Sequence, residues 1–363
     1  MWEIITNPVT LSVIVMCVLC LFKLNVILSL LAAALVAGLT SGMSPAEIMG
    51  AVIGGLNGNG TNAVAYLLLG TFAAALANTG LATMLAKWIA SMVKERKWIL
   101  LSTFVACAII SGTIIPIHIA YIPVLIPPLL LMMNKMKMDR RQAACVTEFG
   151  LIAPYVTIPI GYGVIFQGII ADNMTANGMP ITMIEVWPYT IILFAGLLVG
   201  LVGSWWFYRK PRDYQDIELA DHQITEEDLR LTKDHIVALV SIVGVLFGQL
   251  HWGSMPLGAL LGIAIMIIGG AIKLRNSDGT IAEGIRLMGM VSFIMLIAGG
   301  YANVVNETGS VSQLIDATLA ILGNSKVMFL IVLILIGLLI TMGIGTSFGT
   351  IPVIAIFYVP MCQ

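Results

Sequence analysis

The chain of 363 residues is 59% hydrophobic and only 10% charged, with 18 Lys and Arg against 19 Asp and Glu and a formal net charge of −1. Its mean hydropathy is +1.00. A water-soluble protein of this size carries about 25% charged residues, and nucleic-acid binding needs a basic face that a near-neutral chain lacks. Both classes are excluded, and the composition describes an all-α polytopic membrane protein.

A membrane-crossing helix needs about 20 apolar residues. Such runs lie near 9–22, 26–40, 62–80, 98–115, 117–133, 142–171 and 184–207. A hydrophilic stretch from Arg209 to Asp234 follows and holds thirteen charged residues. Apolar runs resume near 236–250, 256–272, 287–306, 327–343 and 350–362. The expected organisation is a first transmembrane repeat at 1–208, a hydrophilic cytoplasmic linker at 209–235 and a second repeat at 236–363. Met1-Trp-Glu-Ile has no basic n-region, so the first apolar run is expected to be retained. Cys17-Val-Leu-Cys20 has redox or metal spacing, but without a second pair it reads as two small residues on a helix.

The chain repeats itself. Ala46-Glu47 matches Ala282-Glu283, an offset of 236. Gly70-Thr-Phe-Ala73 with Thr79-Gly80 matches Gly299-Gly-Tyr-Ala302 with Thr308-Gly309, an offset of 229. Gly112-Thr113, Pro116 and Tyr121-Ile-Pro123 match Gly349-Thr350, Pro352 and Tyr358-Val-Pro360, and the tyrosines are 237 apart. The drop from 236 to 229 implies about seven extra residues in the first copy, for which Gly54–Gly60 is a natural place. Carried forward, the offset predicts that roughly 80 further residues would complete the second copy, and that a product lacking them transports weakly.

Cytoplasmic loops are enriched in Lys and Arg. The first copy has basic loops at Lys87–Lys97 and Lys135–Arg141 and leaves through Arg209-Lys-Pro-Arg212, whereas 41–61 and 172–183 carry neither residue. In the second copy the counterpart of 41–61 holds Lys273, Arg275 and Arg286, and the counterpart of 81–97 keeps only Lys326. Seven crossings in the first copy, an odd number, would invert the second, as this exchange of charge requires. The reading is two inverted-topology repeats with discontinuous helices, the second incomplete, as in secondary transporters.

Two segments combine glycine, hydroxyls and proline inside apolar surroundings: Ser111-Gly-Thr-Ile-Ile-Pro116 and Gly345-Thr-Ser-Phe-Gly-Thr-Ile-Pro352. Proline has no N–H and releases the carbonyl four residues back; within a bilayer, irregular backbone survives only inside protein or along a cavity. Released carbonyls beside Ser111, Thr113, Thr346, Ser347 and Thr350 would make neutral oxygen ligands for a hard cation. A proline kink whose hydroxyls bond back to the helix is the alternative.

Gly345-Thr-Ser-Phe-Gly-Thr350, Asn7-Pro-Val-Thr-Leu-Ser-Val-Ile-Val15 and Leu24-Asn-Val26 resemble the NhaC-like Na⁺/H⁺ antiporter family of the ion-transporter superfamily, in its uncharacterised bacterial antiporter-like branch. The resemblance implies paired helix breaks near the bilayer midplane and coupling to Na⁺ or H⁺. Some members are thought to carry amino acids or organic anions, and members continue into an Asp- and Ser-containing segment beyond residue 363. A multi-pass protein of the bacterial inner membrane follows, with Na⁺ and H⁺ as transported ions and no cofactor, structural metal or nucleic-acid partner; a homodimer is compatible with it.

An exchanger needs a group that takes either a proton or a cation, so acids within spans matter most. Glu148, seven residues past Arg141, is the leading candidate, with Pro154, Pro159, Gly161 and Gly163 suggesting a further discontinuous helix beyond it. Pairing with Arg140 or Arg141 is its alternative role. His118, two residues after Pro116, is a second proton carrier by type. The candidate ion or substrate site is thus Ser111, Gly112, Thr113, Pro116, His118, Glu148, Gly345, Thr346, Ser347 and Thr350. Glu47, Asp172, Glu185, Glu283 and Glu307 fall at expected helix ends, where solvation is easy. No nucleophile with a partner base is evident, which disfavours an enzyme. Na⁺/H⁺ antiport is the first reading, and Na⁺- or H⁺-coupled transport of amino acids or organic acids the second.

Overall fold

In a computed structural model the described residues are 5–81, 84, 88, 97–113, 129–130, 133–160, 162–214, 230–322, 326–344 and 347–362. Among them the secondary structure is helical throughout, without a strand. In chain order the helices are α1 (Pro8–Leu21), α2 (Val26–Thr40), α3 (Pro45–Gly55), α4 (Gly60–Asn78), α5 (Lys97–Thr113), α6 (Arg140–Thr157) and α7 (Tyr162–Ala176). They continue with α8 (Met183–Phe207), α9 (Lys233–Trp252), α10 (Met255–Ile268), α11 (Ser277–Glu307), α12 (Ser310–Leu322), α13 (Lys326–Ile344) and α14 (Ser347–Cys362). One 3₁₀ turn, Leu56–Asn59, joins α3 to α4, and another, Leu274–Asn276, leads into α11.

Local chemistry sets these starts. Asn7 accepts from the Val9 N–H in front of Pro8, and Asn25 accepts from Ile27. Ser44 and Glu47 form a capping box ahead of the α3 helix. Thr232 and His235 do the same for α9. Gly80 and Gly309, at φ +75° and +64°, take up the left-handed turn that follows α4 and α11. These two glycines are 229 residues apart, and so are several element boundaries: Val26 and Met255, Pro45 and Leu274, Asn78 and Glu307, Lys97 and Lys326. The helical runs Pro45–Asn78 and Leu274–Glu307 are each 34 residues long. The seven extra residues expected near Gly54–Gly60 are therefore not there; that stretch is one 3₁₀ turn inside a run of matched length. The Ala46-Glu47 match was out of register, because alanine-rich apolar sequence aligns at several offsets.

The chain divides into two compact units. The first holds 1–64, 168–182 and 290–363. Its core gathers Val9, Met16 and Ala37 from α1 and α2 with Val304 and Val305 from α11, and Ile340 and Val353 from α13 and α14. The second holds 65–167 and 183–289. One of its cores gathers Ala238, Val245 and Met266 from α9 and α10 with Ala75 and Leu76 from α4. Each of these five positions is the 229-residue counterpart of one in the first unit. A further core joins Leu100, Phe104, Met133, Met138 and Val146 between α5 and α6. Gly150 lets those helices close, since a Cβ there would stand 2.6 Å from Ala108 Cβ.

The outward surface is apolar, as a lipid-facing protein requires. On α8, a 25-residue helix of high hydropathy, Trp206 and Phe207 are 72% and 80% exposed. Trp205 packs edge-on against Trp98 with ring centroids 4.2 Å apart, an aromatic pair at the membrane boundary next to Arg209. Four helical runs are long and apolar enough to cross a membrane among the described residues, and several shorter apolar helices accompany them.

Candidate ion site

The two 34-residue runs contact each other antiparallel through small and amide residues. In the first unit Asn303 Nδ2 donates to the Ala51 carbonyl at 2.9 Å, and Asn59 Nδ2 to the Met295 carbonyl at 3.3 Å. Between those bonds Gly55 meets Gly299 and Gly300 so closely that a Cβ on Gly55 would lie 2.5 Å from the Gly299 carbonyl oxygen. In the second unit a Cβ on Gly70 would lie 2.6 Å from the Gly284 carbonyl oxygen. Residues 55 and 70 have their 229-residue counterparts at 284 and 299, so each close contact is the exchanged image of the other. Backbones that touch in this way are the mark of small-residue packing between membrane helices.

A discontinuity falls between α6 and α7. Pro154 stays inside α6, and Ile158 donates its N–H to the Pro154 carbonyl at 2.6 Å. The chain then turns extended at Ile158, φ −98° and ψ 121°, as a residue before proline should. Pro159 has no N–H for the Tyr155 carbonyl, and Ile160 turns its own to Ile158 at 2.8 Å. Only glycine fits at 163, because a Cβ there would overlap the Ile158 carbonyl oxygen. Gln167, fully buried on α7, reaches back and donates Nε2 to the carbonyls of Val156 at 3.3 Å and Thr157 at 3.2 Å. Its Oε1 is buried without a hydrogen-bond partner.

The second proline-containing motif begins after α13 and runs into α14. α13 ends at Ile344 and α14 begins at Ser347. Tyr358 Oη donates to the Leu333 carbonyl, and Gly337 approaches Ile354 and Tyr358, so the two helices run antiparallel. Ile344 and Thr350 are buried at 2% and 3% exposure, whereas Ser347 is exposed. A cleft of about 560 Å³ opens in the first unit, lined by Ala176, Asn177, Gly178, Asn306, Gly309, Val311 and Ser312; none of these is Lys or Arg.

At the basic loop Asp139 caps α6 and holds Arg141, whose Nη2 is 2.7 Å from Oδ2. Tyr214 Oη donates to Asp139 Oδ1 at 3.2 Å, and the Arg140 guanidinium stacks 4.3 Å from the Tyr214 ring. The Arg141 side-chain hydrogen bonds above all, then its backbone N–H, its charge and Tyr214, draw the Asp139 carboxyl down to about 2 against the opposing effect of desolvation. Arg212 N–H donates to the Lys137 carbonyl at 2.9 Å, and Lys137 pairs with Asp213 at 3.0 Å. The start of the hydrophilic segment is therefore tied to the 135–141 loop.

The expected site residues are not all brought together. Ser111, Gly112 and Thr113 form the last turn of α5. Pro116, His118, Gly345 and Thr346 lie outside the described residues. Glu148 sits mid-way along α6 on an exposed position. The alternative pairing is not made either, because Arg141 is held by Asp139 and Tyr208 while Arg140 is held by Asn134 and Tyr214. Glu47 caps α3. Glu283 bonds Asn78 and lies 3.7 Å from Arg286. Glu307 accepts from Asn303 at 2.9 Å. Gln167 and Asn59 were missed by sequence reasoning, because a single neutral amide in an apolar run leaves no pattern; Pro159 and Gly163 were the signal that could have pointed to the first.

Residues 146–363 match the model of the Na⁺/H⁺ antiporter family. The chain belongs to that family. A second model, described as a Na⁺-H⁺ antiporter family, matches residues 7–93. An uncharacterised membrane protein of Vibrio parahaemolyticus is 39% identical over 368 residues, which cover 98% of this chain and 83% of that protein. YuiF of Bacillus subtilis, named as a candidate amino acid transporter, is 39% identical over 370 residues, covering 98% of this chain and 84% of that protein. An uncharacterised membrane protein of Haemophilus influenzae is 35% identical over 376 residues. The antiporter family is one of membrane transporters, not enzymes.

Proposed function

We propose that this antiporter-family chain exchanges Na⁺ for H⁺ across the bacterial cytoplasmic membrane, using two copies of one helical repeat inserted in opposite directions. The copies are 1–208 and 236–363, joined by a cytoplasmic segment at 209–235. The observation that carries this reading is the pair of exchanged contacts, Gly55 with Gly299 and Gly70 with Gly284, between antiparallel runs of equal length. Antiparallel counterparts cross the membrane in opposite senses. The move of Lys and Arg from one loop set to the other asks for the same thing. Alternating access by two such copies needs an ion site where helices are interrupted. Ser111, Gly112, Thr113, Pro116 and His118 would be the first copy's contribution and Gly345, Thr346, Ser347 and Thr350 the second's. Glu148, exposed on α6, would exchange its proton through water or a passing cation, not through burial.

The name of YuiF favours a second reading, coupled transport of an amino acid. Both readings are separated by one assay. Proteoliposomes holding the chain and a lumenal pH dye receive a Na⁺ gradient, then its reverse, with and without a panel of amino acids and carboxylates. Antiport predicts a lumenal pH change that reverses with the gradient and needs no organic solute, and Glu148→Gln should abolish it while the protein still inserts. A response that appears only with one amino acid moves the assignment to the second reading, and full activity of Glu148→Gln removes that residue from the exchange.

A further inference from the structure

We infer that the α6–α7 break is itself a Na⁺ site, with the Gln167 carboxamide as its side-chain ligand. This rests on the Na⁺ reading above. Two carbonyl oxygens of an interrupted helix, Val156 and Thr157, converge on one donor group, Gln167 Nε2, at 3.3 and 3.2 Å. Gln167 is fully buried, and its own oxygen has no partner. A buried acceptor left open costs about 1–3 kcal/mol, and such a group calls for an ion, a water or a second state. A carboxamide has two ends of nearly equal size. Turning it about its last torsion exchanges the NH₂ for Oε1 and sets three oxygens together, Oε1 with the Val156 and Thr157 carbonyls. A cation can bind all three oxygens at once, whereas a water donates to only two.

The charge balance selects a monovalent ion. The ligands are neutral, and no carboxylate lies between Glu148 and Asp172 in sequence. Hard oxygens and a small monovalent charge describe Na⁺ better than a soft or divalent metal. In the arrangement seen, the NH₂ group bonds the two carbonyls that the cation would need, so the amide closes the cradle between binding events.

The test is the thermal unfolding midpoint of the purified chain in detergent, titrated with NaCl at constant ionic strength made up with choline chloride, with KCl as comparator. A specific ligand of the folded state raises the midpoint with its concentration. The wild-type chain should respond to Na⁺ and not to K⁺. Gln167→Ala should raise the half-maximal Na⁺ concentration at least tenfold. Gln167→Glu, which keeps an oxygen and adds charge, should lower that concentration several-fold and make it pH-dependent, and it decides the matter should the alanine variant not fold. Variants that unfold earlier at every Na⁺ concentration but keep the wild-type half-maximal value would show a purely structural cap or a water site and overturn the inference. If the wild-type chain exchanges Na⁺ for H⁺ while both variants keep its Na⁺ dependence, only this inference fails. A wild-type chain with neither Na⁺ exchange nor a Na⁺-dependent midpoint overturns the underlying reading with it.

Discussion

The two close contacts between the 34-residue runs share one geometry and differ in chemistry. Around Gly55 the neighbours are backbone and two asparagines: Gly299 and Gly300 press on the glycine, Asn303 ties α11 to Ala51, and Asn59 ties the 3₁₀ turn to Met295. Around Gly70 the neighbours are the Gly284 carbonyl and the side chain of Met288, at 2.8 Å from the Cβ that glycine lacks. Met288 stands 229 residues after Asn59. The backbone contact is thus the same at both places while the side chains differ: asparagines bond across at Gly55, and a flexible methionine lies against Gly70.

Substitutions should grade the difference. Gly55→Val meets immovable backbone and should cost about 3 kcal/mol of unfolding stability, read by tryptophan fluorescence in detergent. Gly70→Val should cost about 2 kcal/mol, since the flexible methionine gives way on one side. Equal losses would remove the distinction between a fixed and a padded contact. Asn303→Ala loses bonds to Ala51 and Glu307 and should cost about 1 kcal/mol, within the range for interhelical bonds in membranes. Asn59→Ala should cost roughly half of that at most, because its Oδ1 is already without a partner; a larger loss would mean that this oxygen is in use.

The smallest effect belongs to the basic loop. Asp139 is held below its ordinary range by Arg141, so its contribution is present above about pH 4 and fades as pH falls toward 2. Arg141 is more than half exposed, so solvent screening keeps that gain small. Acid titration of Gly55→Val and Gly70→Val should therefore move both by the same small amount, measured against Asp139→Asn.

Hydropathy made the spans legible, because lipid forces helices to advertise themselves. The charge exchange between loops was equally plain. The register of the repeat was not: Ala46-Glu47 matched at 236 where structure gives 229, since apolar residues substitute freely and only the Gly70 and Thr79-Gly80 block held its spacing. The α6–α7 break was foreseen from Pro154 and Pro159, yet Pro154 remains helical because its lost bond falls within the helix, and the turn comes at Ile158–Ile160. A carboxylate in a span drew attention to Glu148, but its helix face points away from the packed interior. Gln167 was silent, its importance arising from what lies eleven residues earlier once the chain doubles back.

Lys97 and Lys326, which open equivalent helices 229 residues apart, offer the most direct check on opposed copies. In a chain whose five cysteines are replaced by serine, Lys97→Cys and Lys326→Cys would be challenged with a membrane-impermeant thiol reagent in intact cells and in inverted vesicles. The account predicts labelling of position 326 from outside and of position 97 only in inverted vesicles. Labelling of both from the same side would contradict it.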